Sequence, residues 1–170
     1  MAREGQTGIR ELARADWERV IELNQASVQE LSPLDEARLD YILTLAHRSL
    51  VVEHDGDVVG FAIAIALGKP YDSDNYRWFA ERYERFLYLD RIAVDAERRR
   101  LGIGARLYDA MEAAAQPFGR MVCDVNIKPR NDASLAFHAA RGYREVGQLA
   151  HGEVKTVALM SKELTASEGA

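Results

Sequence analysis

The chain has 170 residues, 48% hydrophobic and 29% charged, the balance of a globular domain with one sizeable core. Its formal charge of −5, from 22 basic against 27 acidic residues, excludes broad nucleic-acid binding, which needs a basic surface. One cysteine, Cys123, excludes an intrachain disulfide, and four scattered histidines leave no Cys/His cluster at zinc spacing.

In chain order, the first predicted element is a short strand, Thr7 to Leu12. Asp16 to Ala26 repeats apolar residues at Trp17, Val20 and Ile21; Leu34 to Ala46 does so at Leu39, Ile42, Leu43 and Ala46. Both spacings are helical, and Glu30-Leu31-Ser32-Pro33 is the turn between them. Ser49 to Glu53 and Val58 to Leu67 are apolar runs joined by Asp55-Gly56-Asp57, a hairpin. Gly68 to Ser73 breaks the second run, and Asn75 to Arg85 reads as a short aromatic-rich helix. Phe86 to Val94 is a strand, Gly104 to Ala115 a helix with Leu107, Met111 and Ala114 on one face, and Met121 to Asn126 a strand. Asp132 to Arg141 is a helix closed by Gly142, and Arg144 to Leu149 with Lys155 to Ser161 form a terminal antiparallel pair.

The order β-α-α-β-β-β-α-β-α-β-β, without repeat or long linker, predicts an α/β (α+β) fold. It reads as one domain over 1–165, followed by a small polar tail at 166–170. Met1 to Gly8 is polar, with no signal-peptide run, and no stretch reaches the length of a membrane helix. The expectation is a cytoplasmic protein with no metal, no nucleic-acid partner and no membrane partner.

The informative stretch is Arg99-Arg100-Leu101-Gly102-Ile103-Gly104, between a strand and a helix. Two glycines two apart let the backbone turn with no side chain in the way, and the N–H groups opening the helix then point at an anion. The helix dipole and Arg98, Arg99 and Arg100 add positive charge, so the turn suits a diphosphate. The third glycine of a dinucleotide fingerprint is absent, since Leu107 stands there, and no Gly-Lys-Ser/Thr makes a nucleotide P-loop.

Arg99-x-x-Gly102-x-Gly104 resembles the Arg/Gln-x-x-Gly-x-Gly/Ala signature of the GNAT superfamily of N-acetyltransferases, and Tyr88 to Val94 resembles its fourth strand. Asn131-Asp132-Ala133-Ser134-Leu135-Ala136-Phe137-His138, then Gly142-Tyr143, is similar to the family's Asn-x-x-Ala/Ser-x-x-Phe-Tyr-x-x-x-Gly-Phe helix. The likeness covers about Gly8 to Leu164, and Tyr71 to Asn75 with Arg77-Trp78-Phe79 resembles a branch of predicted bacterial members.

The resemblance implies a mixed sheet of about seven strands, splayed between the fourth and fifth and flanked by about four helices. It implies acetyl-CoA as co-substrate. Its diphosphate would lie on Arg99, Arg100, Leu101, Gly102, Ile103, Gly104 and Ala105, and its pantetheine along Ile92, Ala93 and Val94. Asn131, Ser134 and Phe137 complete the implied cofactor set. Dimers are common in the family, so a homodimer is implied as well.

Acetyl transfer to an amine also needs a base and a proton for the leaving thiolate. Asp90 is the candidate base, at a position where spermidine/spermine acetyltransferases carry glutamate; the competing reading is a salt bridge with Arg91 or another basic neighbour. His138 stands where most members have tyrosine. It is either the acid or a satisfied, half-buried histidine. Asn131, Ser134 and His138 share a face, with Phe137 and Ala140 expected in the core.

For the acceptor, a small-molecule primary amine, the candidate residues are Glu30, Tyr71, Asp72, Trp78, Asp124 and Asn126. Aromatic faces beside carboxylates suit a cation, although a lid or dimer contact would use the same residues. The function expected is direct acetyl transfer in a ternary complex. The rivals are a peptide or protein N-terminal or lysine acetyltransferase, and a module that binds acetyl-CoA without turnover.

Overall fold

The computed structural model describes residues 5–28, 31–98 and 101–165. Among them are seven strands and five helices; the β-α-α-β-β-β-α-β-α-β-β order holds, with the short aromatic-rich helix added between the third and fourth strands. The strands are β1 (Thr7–Glu11), β2 (Arg48–His54), β3 (Asp57–Ala66), β4 (Leu87–Val94), β5 (Arg120–Lys128), β6 (Arg144–His151) and β7 (Lys155–Glu163). The helices are α1 (Trp17–Ala26), α2 (Glu36–Leu45), α3 (Asp74–Ala80), α4 (Ile103–Ala115) and α5 (Asp132–Ala140). The strands make one mixed sheet, with hydrogen-bonded neighbours in the order β1-β2-β3-β4-β5-β7-β6.

The chain packs as two compact units, Met1–Ile65 with Leu89–Ala113 and Ala66–Tyr88 with Ala114–Ala170. In the first, β1, β2 and β3 are antiparallel, Ile9 facing Val52 and Leu50 facing Ala62. Val20 and Leu23 of α1, Leu39 and Ile42 of α2, and Ile103, Leu107 and Met111 of α4 are buried, as are Val51, Val52, Phe61 and Ile63. Asp35 caps α2, its side chain accepting from the Arg38 N–H at 2.7 Å.

Gly60 sets how near α4 comes to β3. A Cβ there would lie 3.0 Å from Ile103 Cγ2, 3.3 Å from the Ala93 carbonyl oxygen and 3.5 Å from Leu107 Cδ1. The start of α4 therefore rests on bare backbone.

At one end of this unit the Arg10 guanidinium grips both oxygens of the buried Asp16, at 2.7 and 2.8 Å, and also reaches Glu53. The Ala13 N–H adds a third bond to Asp16, at 2.7 Å. Arg10 first, then the Ala13 N–H, hold the Asp16 carboxyl below its ordinary value of 3.8, against the opposing effect of burial. The stabilisation is therefore complete above about pH 3.8 and is lost as pH falls through the lower folded value. Asp16→Asn is expected to lower unfolding free energy at pH 7, with the gap to wild type closing below about pH 3.8, as urea melts across that range will show.

In the second unit, β4 and β5 run parallel through two register pairs, Leu87↔Met121 and Tyr88↔Val122. β5 pairs antiparallel with β7, and β7 with β6. Tyr76, Phe79, Phe86 and Tyr88 form an aromatic cluster, with ring centroids 5.7 to 6.2 Å apart in the contacts of Phe86 and Tyr88 with the two α3 rings. The α3 helix is shorter than predicted at its C-terminal end. Ser73 Oγ fixes its start by accepting from the Tyr76 N–H.

Trp78 of α3 lies against Gly147 of β6, at a register shift between Glu145 and Gly147. A Cβ on Gly147 would come within 2.3 Å of the indole. Gly147→Ala is expected to cost about 1–3 kcal/mol by overpacking, and Trp78→Leu in the same chain to recover part of it in denaturant melts.

Candidate functional site

The β4 strand leaves β3 at Asp95, whose N–H donates to the Val59 carbonyl at 2.8 Å, and a short 3-10 turn follows over Ala96–Arg98. Arg99 and Arg100 lie outside the described residues. Leu101 is 49% exposed, and Gly102 has a φ of +70°, a left-handed value that a side chain disfavours. The Gly102 carbonyl accepts the first bond of α4, from the Arg106 N–H at 3.0 Å. By helix geometry the N–H groups of Ile103, Gly104 and Ala105 then have no intrahelical acceptor. They are the amides that the sequence analysis expects to face an anion.

Neither glycine is crowded by its surroundings. A Cβ on Gly102 would meet nothing within 4 Å, and one on Gly104 only Val94 Cγ2, at 4.0 Å. Gly104 is helical, where glycine is about 1 kcal/mol less favourable than alanine. Protein packing does not demand bare backbone at Gly104. On β4, Ile92 and Val94 are half-buried and Ala93 is buried.

Asp90 lies on the same strand. Its Oδ2 accepts from Arg91 Nε at 2.7 Å, and the two side chains are 5% and 4% exposed. This is the salt-bridge alternative. Because Asp90 as a whole is not buried, its main chain carries more of its exposure than its carboxylate. Arg91 Nη1 donates onward to Asn24 Oδ1 at 3.1 Å, and weakly to the Ser32 carbonyl at 3.4 Å. Asn24 Nδ2 also donates to Ser32, at 2.9 Å. The segment between α1 and α2 is thus tied to β4. Glu30, in that segment, lies outside the described residues.

Sequence reasoning missed Asn24. The signal was there: Asn24 falls one turn after Val20 and beside Leu23, on the apolar stripe of α1, and is fully buried.

The remaining candidates lie in the second unit. Asn131 caps α5, its Oδ1 accepting from the Ser134 N–H at 3.1 Å. His138 Nδ1 is 2.6 Å from the Ser134 carbonyl and 3.3 Å from Ser134 Oγ. A carbonyl can only accept, so Nδ1 carries the proton. Nε2 of the neutral ring is then an acceptor, and His138 donates from Nε2 only as imidazolium.

The helix also presents a different face from the one expected. His138 is 4% exposed between Phe137 and Tyr143, whereas Phe137 is half-buried near the Arg141 guanidinium and Ala140 is exposed. His138, rather than Phe137 or Ala140, is the residue of α5 that enters the core.

Tyr71 is buried edge-on to Tyr76, Trp78 is packed on β6, and Asp72 is exposed. Asp124 is half-buried and accepts from the Tyr88 hydroxyl at 2.6 Å. Asn126 is buried, with its carbonyl accepting from the Asn131 N–H at 3.0 Å. No helix among the described residues is long and apolar enough to cross a membrane.

A family model described as the Acetyltransferase (GNAT) family matches residues 8–143. The chain belongs to the GNAT acetyltransferase family. Membership places it among the acyltransferases. Solved GNAT structures share its fold at low identity. The ribosomal-protein-S18-alanine N-acetyltransferase of Escherichia coli is 16% identical, with TM-score 0.71 over 97% of this chain and 99% of that one. A phosphinothricin acetyltransferase of Sinorhizobium meliloti, solved with acetyl-CoA, is 22% identical, with TM-score 0.69 over 95% and 90%. An N-acetyltransferase of Staphylococcus aureus Mu50 is 18% identical, with TM-score 0.71 over 94% and 99%. A search of curated proteins returns no match.

Proposed function

We propose that this GNAT chain moves an acetyl group from acetyl-CoA to a primary amine of a small molecule, by direct attack in a ternary complex. The observation that carries the reading is the bare turn at Gly102 and Gly104 in front of the first amides of α4. Acetyl-CoA supplies an activated acetyl group that passes to the amine nitrogen and leaves a free thiol.

In this reading the N–H groups of Ile103, Gly104 and Ala105 hold the diphosphate, helped by Arg99 and Arg100, while Ile92 to Val94 align the pantetheine by main-chain bonds. His138 exchanges a proton at Nε2, because Nδ1 is committed to Ser134. Asp90 acts as an ion-paired strut; service as a base would need a water to reach a carboxylate whose side chain is 5% exposed. The protein works in the cytoplasm, where acetyl-CoA is used, and as a homodimer.

The test is calorimetry with acetyl-CoA, followed by a thiol-release assay with tyramine, spermidine, lysine and trialanine. Release with a small amine and not with trialanine supports the reading, and preference for trialanine shifts it to peptide N-termini. Binding without release from any amine leaves a non-catalytic acetyl-CoA module. No binding heat at millimolar acetyl-CoA removes the reading altogether.

A further inference from the structure

In the first unit, three consecutive residues of β3 support both the end of β4 and the start of α4. The Val58 carbonyl accepts from Arg19 Nε of α1 at 3.0 Å. The Val59 carbonyl accepts from the Asp95 N–H at 2.8 Å. Gly60 presents bare backbone to Ile103, the first residue of α4. Asp95 is the corner at which the chain leaves β4. Its Oδ1 accepts from the Glu97 N–H at 3.0 Å, and its carbonyl from the Arg98 N–H at 2.9 Å. Its Oδ2 accepts from Arg19 Nη2 at 2.8 Å, in an ion pair whose carboxylate side chain is 20% exposed. Two of these bonds run forward into Ala96–Arg98, and two run back to β3 and α1.

A ligand that meets an already ordered turn does not have to order it, so the same contacts give a lower Kd. Asp95 stands between Ile92–Val94, given above to pantetheine, and the amides of α4, given to the diphosphate. A corner fixed to both a strand and a helix sets the angle between those two parts. Arg19 reaches this corner from 76 positions away.

We infer that Asp95 is the positioning residue for the diphosphate of acetyl-CoA and that Arg19 holds it in place from α1. The inference rests on the acetyl-CoA reading and deepens it: the two side chains act on cofactor affinity through the turn, and they act on its diphosphate end.

The experiment compares two ligands. Calorimetry measures the Kd of acetyl-CoA, and ligand-observed NMR that of S-acetylpantetheine, which has the same thioester arm and no diphosphate. The proteins are wild type, Asp95→Ala, Asp95→Asn, Arg19→Met and the Arg19→Met/Asp95→Ala double variant, with thermal melts to check folding. Asp95→Asn keeps an acceptor for the Glu97 N–H and carries the test if Asp95→Ala does not fold. The expected result is acetyl-CoA Kd raised about tenfold by Asp95→Ala and about fivefold by Asp95→Asn or Arg19→Met. S-acetylpantetheine Kd should stay within about twofold, and the double variant should be no worse than Asp95→Ala alone. Unchanged acetyl-CoA Kd in the folded Asp95 variants, or equal losses for the two ligands, overturns this inference and leaves the acetyl-CoA reading standing, with Asp95 a prop of the sheet alone. No binding of acetyl-CoA by wild type overturns the reading, and this inference with it.

Discussion

Gly104→Leu is expected to leave the protein as stable as wild type, or about 1 kcal/mol more stable, while weakening acetyl-CoA binding at least about a hundredfold. The two effects separate because the glycine serves no packing purpose. A Cβ at 104 would touch only Val94, at 4.0 Å, and leucine is a better helix former than glycine. A leucine side chain there stands before the amides that open α4. A diphosphate kept away from two such donors loses charge-assisted bonds worth about 1.5–3 kcal/mol each. Gly104→Ala is the control, since the signature tolerates alanine at this position. It should gain stability and keep binding. Thermal melts and calorimetry measure both sides. A stable Gly104→Leu protein that binds acetyl-CoA like wild type would put the diphosphate elsewhere.

Arg91→Met is expected to cost about 3–5 kcal/mol of unfolding free energy, the largest stability loss foreseen for a single change. Methionine roughly matches the arginine stem in volume, so the loss is electrostatic. The Asp90 carboxylate would be left without its guanidinium at a site where both side chains are about 5% exposed or less. Asn24 Oδ1, on a fully buried residue, would lose the Arg91 donor as well. Asp90→Leu added to Arg91→Met should recover much of the loss, because a buried ion pair replaced as a whole is often nearly neutral. Urea denaturation of the three variants tests this. Equal losses in the single and double variants would mean that Asn24 and Ser32, rather than Asp90, are what Arg91 supports.

The elements were legible because their signals are local. Apolar period, the Asp55-Gly56 turn and the glycines at 102 and 142 all act within one or two turns of chain. The glycine turn that opens α4 was legible for the same reason, since a helix opening is defined by its own backbone. What was not legible joins distant residues. Arg91 meets Asn24 across 67 positions and Tyr88 meets Asp124 across 36, and no periodicity states either pairing. Arg10 with Asp16 and Glu53 is a further case. The orientation of α5 was misjudged because a histidine scores as polar. One whose Nδ1 bonds its own helix can be buried where a phenylalanine is not, and His138 is.

Position 60 makes residues on two elements depend on one another. With 3.0 Å between a virtual methyl at Gly60 and Ile103, volume gained on the strand must be surrendered on the helix. Homologues should therefore exchange side-chain size between 60 and 103 as a covarying pair, and a chain carrying alanine at 60 beside isoleucine at 103 should shift its α4 outward. A library randomised at both sites, sorted by acetyl-CoA retention, would recover small–large combinations in preference to large–large ones.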